Sequence, residues 1–406
     1  MIETPDLREA AQRGLCTDCG VSRMKDPRAC GKACQFIAPD YPAMERAVHG
    51  RPRQQGDEVF FGPMQVMHRA RLADPAEGAQ WTGITTALAA DLLARGKVDA
   101  VLTMIPDQDD RWKPVPALIT APEDIARARG MRMGYAPLLA LLEDAAERGY
   151  SRLAVIGIPC QIYALRALEA SLGFDRLYVI GTPCSDNTTT ENFHDFLALL
   201  DEAPETISYL EFRADYMVEL RFDDGRQRLI PFLQLPISDL PPDFFPLTCR
   251  TCVDYTNALA DITVGYMGGQ GDQWVLVRND RGAEMLEGLG DRVVLSAPGT
   301  AGKRSGAVKG FIANTARAAG GLPLRRMPDW VRPIVSFLQP RIGPRGLEFA
   351  RARLEMKAAE TILHLRRAEP AKMKNMIPNH VWAIAAPYDL TPEAGETPAR
   401  PKEAAE

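Results

Sequence analysis

Residues 248–271 read TCRTCVDYTNALADITVGYMGGQG, and this stretch decides how the rest of the chain is understood. It opens with Cys249 and Cys252 in C-x2-C spacing and passes Asp254 and a short apolar strand at Ile262 and Val264. It closes on a turn holding Gly265, Gly268, Gly269 and Gly271. Two cysteines on one tight turn present two thiolates to a single metal or cluster. A glycine-dense turn straight after a strand lets backbone N–H groups approach a phosphate. A soft-metal ligand pair and a phosphate cradle therefore lie close together along the chain, which points to electrons passing between a metal centre and a nucleotide-type cofactor.

Upstream, a strand–GxPC unit occurs twice. RLAVIGIPCQ ends a β-run at Pro159–Cys160, a helix follows over Gln161–Leu172, and RLYVIGTPC ends a second run at Cys184. Cysteines at the carboxyl ends of neighbouring parallel strands project into the crevice where α/β sheets bind ligands. A lone cysteine is usually a buried structural residue, but two at equivalent positions shift the balance towards function.

The other four cysteines sit in LCTDCGVSRMKDPRACGKACQF, as Cys16, Cys19, Cys30 and Cys34. Residues 1–45 hold few large apolar side chains, so a metal is expected to organise them. Structural zinc and an iron–sulfur cluster compete for these ligands. Four plus four cysteines is the arithmetic of two cysteine-ligated sites. Arg8, Arg13, Arg23, Lys25, Arg28 and Lys32 outnumber Glu9, Asp18 and Asp26 there, which suits either docking of an acidic electron carrier or a merely solvated face.

Residues 46–80 are polar and are expected to connect. Gln80–Thr86 (QWTGITT) is a small, hydroxyl-rich turn at a helix N-terminus, either a phosphate site or a plain cap. Helical spacing over Thr85–Arg95 leads into a buried strand over 98–105, and residues 106–135 read as loop and short elements. A helix is expected over Pro137–Arg148 and another over Glu191–Leu200. Residues 206–232 switch to alternating strands with a turn at Asp223–Gly225, an antiparallel insertion of about 205–235. WVLVRND and RVVLSAP read as strands around a short helix at Glu284–Leu289. Gly346–Arg367 is a long amphipathic helix, and the tail after Tyr388 is rich in Pro, Glu and Ala and is expected to lack structure. The expected class is α/β with an α+β insertion. The expected divisions are a Cys-rich segment over 1–45, a central α/β unit over 46–305, a helical extension over 306–388 and a tail over 389–406.

The chain has 406 residues, 46% apolar and 25% charged, with a formal charge of −5. That balance is ordinary for a soluble globular protein and argues against a nucleic-acid binder. The start lacks an apolar signal region and no run reaches membrane-span length. Cytosolic placement is expected, with peripheral membrane contact and self-association both compatible.

Taken together, QWTGITTAL with VDAVL, IGIPCQIYALRAL, the second GTPC, and CRTCVDYTNALADITVGYMGGQG with QWVLVRNDRG resemble the coenzyme-deazaflavin hydrogenase/dehydrogenase β-subunit family of iron–sulfur flavoproteins. The match runs from about Cys16 to Trp382. The N-terminal cysteine spacing and the C-terminal LEMKAAETILHLRR and MKNMIPNHVW resemble the pigment-reductase branch. Members of that branch reduce either the 8-vinyl group of 3,8-divinyl (proto)chlorophyllide a or the 7-hydroxymethyl group of chlorophyll a. Deazaflavin reduction within a hydrogenase-like complex and a zinc-stabilised interaction protein are the rival readings.

The resemblance implies FAD and two 4Fe-4S clusters. The ten-residue gap between Cys19 and Cys30 departs from the compact bacterial-ferredoxin spacing. Cys16, Cys19, Cys30 and Cys34 are assigned to an outer cluster, and Cys160, Cys184, Cys249 and Cys252 to an inner one. Cys160 has the alternative of lying beside the flavin. Flavin contacts are assigned to Gln80, Trp81, Thr82, Gly83, Thr85 and Thr86 and to Gly268, Gly269, Gln270 and Gly271, with Arg278 as a phosphate partner. Reduced ferredoxin would supply single electrons to the clusters, FAD would pass a hydride to the vinyl group, and an acid would protonate the other carbon. His194, Asp186 and Asp254 are the proton-donor candidates, each with a bland alternative as surface His, N-cap or turn residue. Met373, Met376, Ile377 and Trp382 offer either an apolar wall for the macrocycle or simple core.

Overall fold

A computed structural model describes residues 1–4, 16–37, 39–76, 79–213, 215–266, 272–318 and 327–397. Among these, nine strands form one mixed sheet in the order Ile2–Glu3, Pro114–Ile119, Ala100–Pro106, Arg152–Gly157, Arg176–Gly181, Ile262–Gly265, Gln273–Val277, Val66–Leu72, Val293–Ser296. The four central strands, Ala100–Pro106 through Ile262–Gly265, are parallel. The flanking strands pair antiparallel.

The continuous apolar runs account for the centre. In Arg152–Gly157 and Arg176–Gly181, Leu153, Val155, Leu177 and Val179 enter one face of the sheet, while Ala154, Ile156, Tyr178 and Ile180 enter the other. Strand side chains alternate, so a run apolar on both faces must be covered on both. Each fully buried Leu, Ile or Val contributes about 1.5–3 kcal/mol. The helix Pro159–Leu172 follows its strand at once: Pro159 starts it, Gln161 Oε1 accepts from Ile158 N at 3.1 Å, and Gly173 ends it at φ 70°.

The expected loop regions differ in two places. Residues 46–80 are no mere connection, because Asp57–Phe61 is helical and Val66–Leu72 is a strand inside the sheet. Residues 106–135 contain the strand Pro114–Ile119, which turns back on Ala100–Pro106. The antiparallel insertion forms as expected from Ile207–Phe212, Met217–Phe222 and Gln227–Pro231. It has its own core with Phe193, Phe196 and Leu197 of the helix Thr190–Leu200.

The N-terminal cysteine segment packs on the main core. Val21, Met24, Cys30, Ala33 and Tyr41 join Leu138, Leu139 and Leu142. Leu139 N donates to Cys19 O at 2.9 Å. Gly20, at φ 105°, lies so close that a Cβ there would stand 2.5 Å from Ala140 N; only glycine allows the docking. At the other end, the helix Leu347–Ala368 buries Ala350 and Leu354 against Phe61, Tyr255 and Trp274. Met373, Met376, Ile377 and Trp382 fill a core with Ile362 and Leu365, backed by Phe36 and Phe60, so they are packing residues. Beyond Tyr388, Arg366 pairs with Glu396 at 2.7 Å.

Candidate functional site

The two GxPC turns are neighbours in space. Gly157 pairs in register with Gly181, so Cys160 and Cys184 each follow the carboxyl end of adjacent parallel strands by three residues. Asn257 Nδ2 donates to Gly157 O at 2.8 Å and to Thr182 O at 3.4 Å, strapping both turns together. The C-x2-C pair joins them: Cys249 lies in the short helix Leu247–Arg250, Cys252 N donates to Cys249 O at 3.1 Å, and Cys184 N donates to Tyr255 O at 3.1 Å.

The thiols share one electrostatic environment. Burial pushes Cys184 well above the ordinary thiol range, with Cys249, Cys160 and Cys252 pushing the same way. Burial likewise raises Cys160, again with Cys249 and Cys252 nearby, and lifts Cys252 to about 11. None of the eight cysteines is in a disulfide. The N-terminal group abuts this one: Thr17 Oγ1 is 3.6 Å from Cys160 Sγ, and the half-buried Cys19 feels Cys160, Cys16 and Cys30. Cys34 lies close enough to influence Tyr163.

Among the described residues no three Cys, His, Asp or Glu side chains close to the spacing of a single-ion site. The donor chemistry nevertheless fits a thiolate-held cluster. Four thiols meet at one edge of the sheet, and a polynuclear cluster holds its ligands further apart than one ion does.

Cations reach the site from the C-terminal helix, which sequence patterning assigned only to packing. Lys357 Nζ donates to Asp186 Oδ1 at 2.6 Å, and Arg353 donates to Ser185 Oγ at 2.6 Å. Burial works against the Lys357 charge, but Asp186 and Glu360 outweigh it and hold the ammonium above its usual range. Tyr135 is another residue that sequence reasoning missed; burial raises its phenol, and Cys249 and Cys16 add to this.

The proton-donor candidates separate. Asp186 stands among the thiols. Asp254 is 5% exposed and accepts from Ala258 N at 2.9 and 3.1 Å, closing a turn. His194 is on the outer side of its helix, 46% exposed and bonded to Asp110 at 2.7 Å. The basic excess of the N-terminal segment is partly spent, since Arg23 pairs with Asp18, Lys25 with Glu147 and Arg28 with Asp26. Arg8, Arg13 and Glu9 lie outside the described residues.

On the proposed flavin side, Gly268, Gly269, Gln270 and Gly271 also lie outside the described residues. The helix Ile84–Ala94 begins at Gly83, φ 85°, with no cap from that residue, but Ile84 N donates to Gln273 Oε1 at 3.0 Å, so its first amide is already satisfied within the protein. Trp81 adopts φ 53°, stacks on Tyr266 at 6.1 Å, and has an indole N–H without an acceptor. A non-glycine residue held in that conformation marks a constrained site. Thr82 is occupied: its hydroxyl donates to Gln273 Oε1 at 2.9 Å and accepts from Leu72 N. Thr86 Oγ1 donates to Gly83 O. Arg278, 2% exposed, donates to Thr263 Oγ1 and to the carbonyls of Phe61, Pro63 and Thr256 at 2.8–3.0 Å. Four of its five N–H groups are committed to the protein, so it holds the fold together and has little left for a phosphate.

Residues 67–143 match the N-terminal part, and residues 150–300 the C-terminal part, of the coenzyme F420 hydrogenase/dehydrogenase β subunit. The chain belongs to that family. Rice 7-hydroxymethyl chlorophyll a reductase is 37% identical over 95% of this chain and 83% of its own length. An uncharacterized Nostoc protein is 36% identical over 95% of this chain and 96% of its own. Within the family the chain therefore falls in the pigment-reductase branch. One component of the F420H2 dehydrogenase of Methanosarcina mazei is 28% identical over 58% of this chain and 63% of its own. In the F420-reducing NiFe hydrogenase complex of Methanosarcina barkeri, one chain shares the fold, with TM-score 0.53 and 22% identity over 59% of this chain and 84% of that one.

Proposed function

We propose that this protein is a ferredoxin-dependent iron–sulfur flavoprotein that reduces the 8-vinyl group of a 3,8-divinyl (proto)chlorophyllide a to ethyl. The observation that carries the redox reading is the gathering of Cys160, Cys184, Cys249 and Cys252 at the carboxyl edge of the parallel strands. Likeness to a chlorophyll reductase over nearly the whole chain supports a pigment substrate. The C-terminal helical region supports it over deazaflavin reduction, because the F420H2 dehydrogenase relative covers only 58% of the chain.

In this reading the four inner cysteines hold one cluster, Cys16, Cys19, Cys30 and Cys34 hold the other, and the Gln80–Thr86 turn contacts the flavin. When bound, these groups supply the passage from single electrons to a two-electron reduction. Asp186, steadied by Lys357, is the proton donor; Asp254 and His194 are each engaged elsewhere. A second reading, reduction of the 7-hydroxymethyl group of chlorophyll a, is favoured by the 37% identity to the rice enzyme.

The test begins with metal, sulfide and flavin content of protein purified without oxygen. About eight irons and one FAD per chain are expected. Zinc without flavin would sink the proposal. Reduced ferredoxin with each pigment then separates the two reactions: loss of the vinyl absorbance supports the first, and turnover of only the 7-hydroxymethyl pigment replaces it with the second.

A further inference from the structure

A cavity of about 130 Å³ lies where residues 111–112, segment 129–132 and the edge strand Ile207–Phe212 meet. Its wall is rich in donors. Arg111, Arg129 and Arg132 line it, and no carboxylate does. The nearby acids are already engaged: Asp223 holds Arg111 through contacts of 2.7 and 3.0 Å, and Glu211 accepts from the Tyr209 hydroxyl.

Arg132 is the informative residue. Its guanidinium donates to Arg129 O at 2.7 Å and Gly130 O at 3.4 Å, while Nε is buried without an acceptor. No acid compensates it, and burial alone pushes it down to about 10. A half-buried cation held only by carbonyls is costly unless a counter-charge joins it. Trp112, 5% exposed and part of the same wall, has an indole N–H with no acceptor either. The wall is therefore short of one thing, an acceptor bearing negative charge.

We propose that this cavity binds a small oxyanion, a carboxylate or phosphate, free or at the end of a larger molecule, with Arg132 as its principal partner. The volume corresponds to about four waters at roughly 30 Å³ each, room for a propionate or phosphate group and not for a macrocycle. The wall also leads to the cysteines. Two residues past Arg132, Gly134 exchanges hydrogen bonds with the Asn187 side chain at 3.1 and 2.9 Å, and Tyr135 comes within the influence of Cys249 and Cys16. The site itself stands on its own donors and does not depend on the redox reading.

The test uses the holoprotein as purified, titrated with inorganic phosphate or sodium propionate at ionic strength held constant with sodium chloride. Saturable upward shifts of the thermal unfolding midpoint are expected, with broadening of the phosphate phosphorus resonance. Arg132→Met should weaken binding by about tenfold or more. Arg132→Lys keeps the charge and should bind with intermediate strength, and it serves if the methionine variant fails to fold. A response to phosphate alone or to propionate alone supports the site and names the preferred oxyanion. No response beyond the chloride control to either anion, or equal binding by wild type and Arg132→Met, would overturn the proposal.

Discussion

Replacing Arg278 with methionine separates a structural arginine from a cofactor-binding one. The side chain is 2% exposed and makes four N–H···O contacts of 2.8–3.0 Å. Phe61 O keeps a donor in Thr256 Oγ1, and Thr256 O keeps one in Thr263 Oγ1, but Pro63 O is left without its partner. A buried orphaned carbonyl costs about 1–3 kcal/mol, and each of the other lost bonds about 0.5–1.5 kcal/mol. Relief of the buried guanidinium's desolvation offsets part of this. A net loss of about 3 kcal/mol follows, large against a total of about 5–15 kcal/mol. Arg278→Lys should recover little, since one ammonium cannot span acceptors placed for a planar fork. Urea unfolding followed by circular dichroism reads the stability, and flavin per folded chain is measured alongside. Arg278→Met with a wild-type unfolding midpoint and selective loss of flavin would refute the reasoning and restore Arg278 as a phosphate ligand.

His194→Ala should leave turnover unchanged and cost at most about 1 kcal/mol, because the lost contact with Asp110 is an exposed pair; a collapse in kcat would return His194 to the reaction. Gly181→Ala would place a Cβ 2.7 Å from Ala260 Cβ and from Asn257 Cγ. The expected cost is about 1–3 kcal/mol, with reduced iron per chain because Asn257 straps both GxPC turns; iron content at the wild-type level would show that the strap is dispensable. His49 is held neutral, its pKa lowered to about 3 by burial, with its ring bonded to Ala258 O at 2.8 Å. Its folded value lies below the unfolded value of about 6.5, so the unfolded chain binds the extra proton between them. Stability from this group is complete above about pH 6.5 and falls by up to about 1.4 kcal/mol per unit as pH drops towards 3. His49→Gln should flatten unfolding free energy against pH in that window, and an unchanged slope would show that the ring does not carry it.

The parallel centre was legible because its strands are apolar on both faces, a pattern that survives without knowledge of partners. Val66–Leu72 was hidden by His68, Arg69 and Arg71; it belongs to the sheet because Arg69 meets Asp272 at 2.7 Å across the pairing and residues far along the chain supply both neighbours. That Cys160 and Cys184 are neighbours could be read from the repeated GxPC turns, since register carries equivalent positions to equivalent places. What surrounds the cysteines could not. Lys357 and Arg353 arrive through docking of a helix more than 160 residues downstream of Ser185 and Asp186, and local spacing records nothing of that approach. Arg278 misled for the same reason: an arginine after a strand looks available until the carbonyls of Phe61 and Pro63 come to meet it.

The seating of the N-terminal cysteines on residues 137–143 also sets a schedule. Lys25 and the Glu143 carboxylate that receives its amide are 118 positions apart, and Cys19 finds Leu139 over a similar interval. At about 5–20 residues per second, a ribosome takes roughly 6–24 s to cover that span. Through all of it Cys16, Cys19, Cys30 and Cys34 travel ahead of the surface that will shelter them, and the second cysteine group is not even complete until Cys252 emerges. On the proposed cluster reading, a cell making this protein has to guard the first four thiols from oxygen and stray metals during translation, or load them after the chain has closed over them.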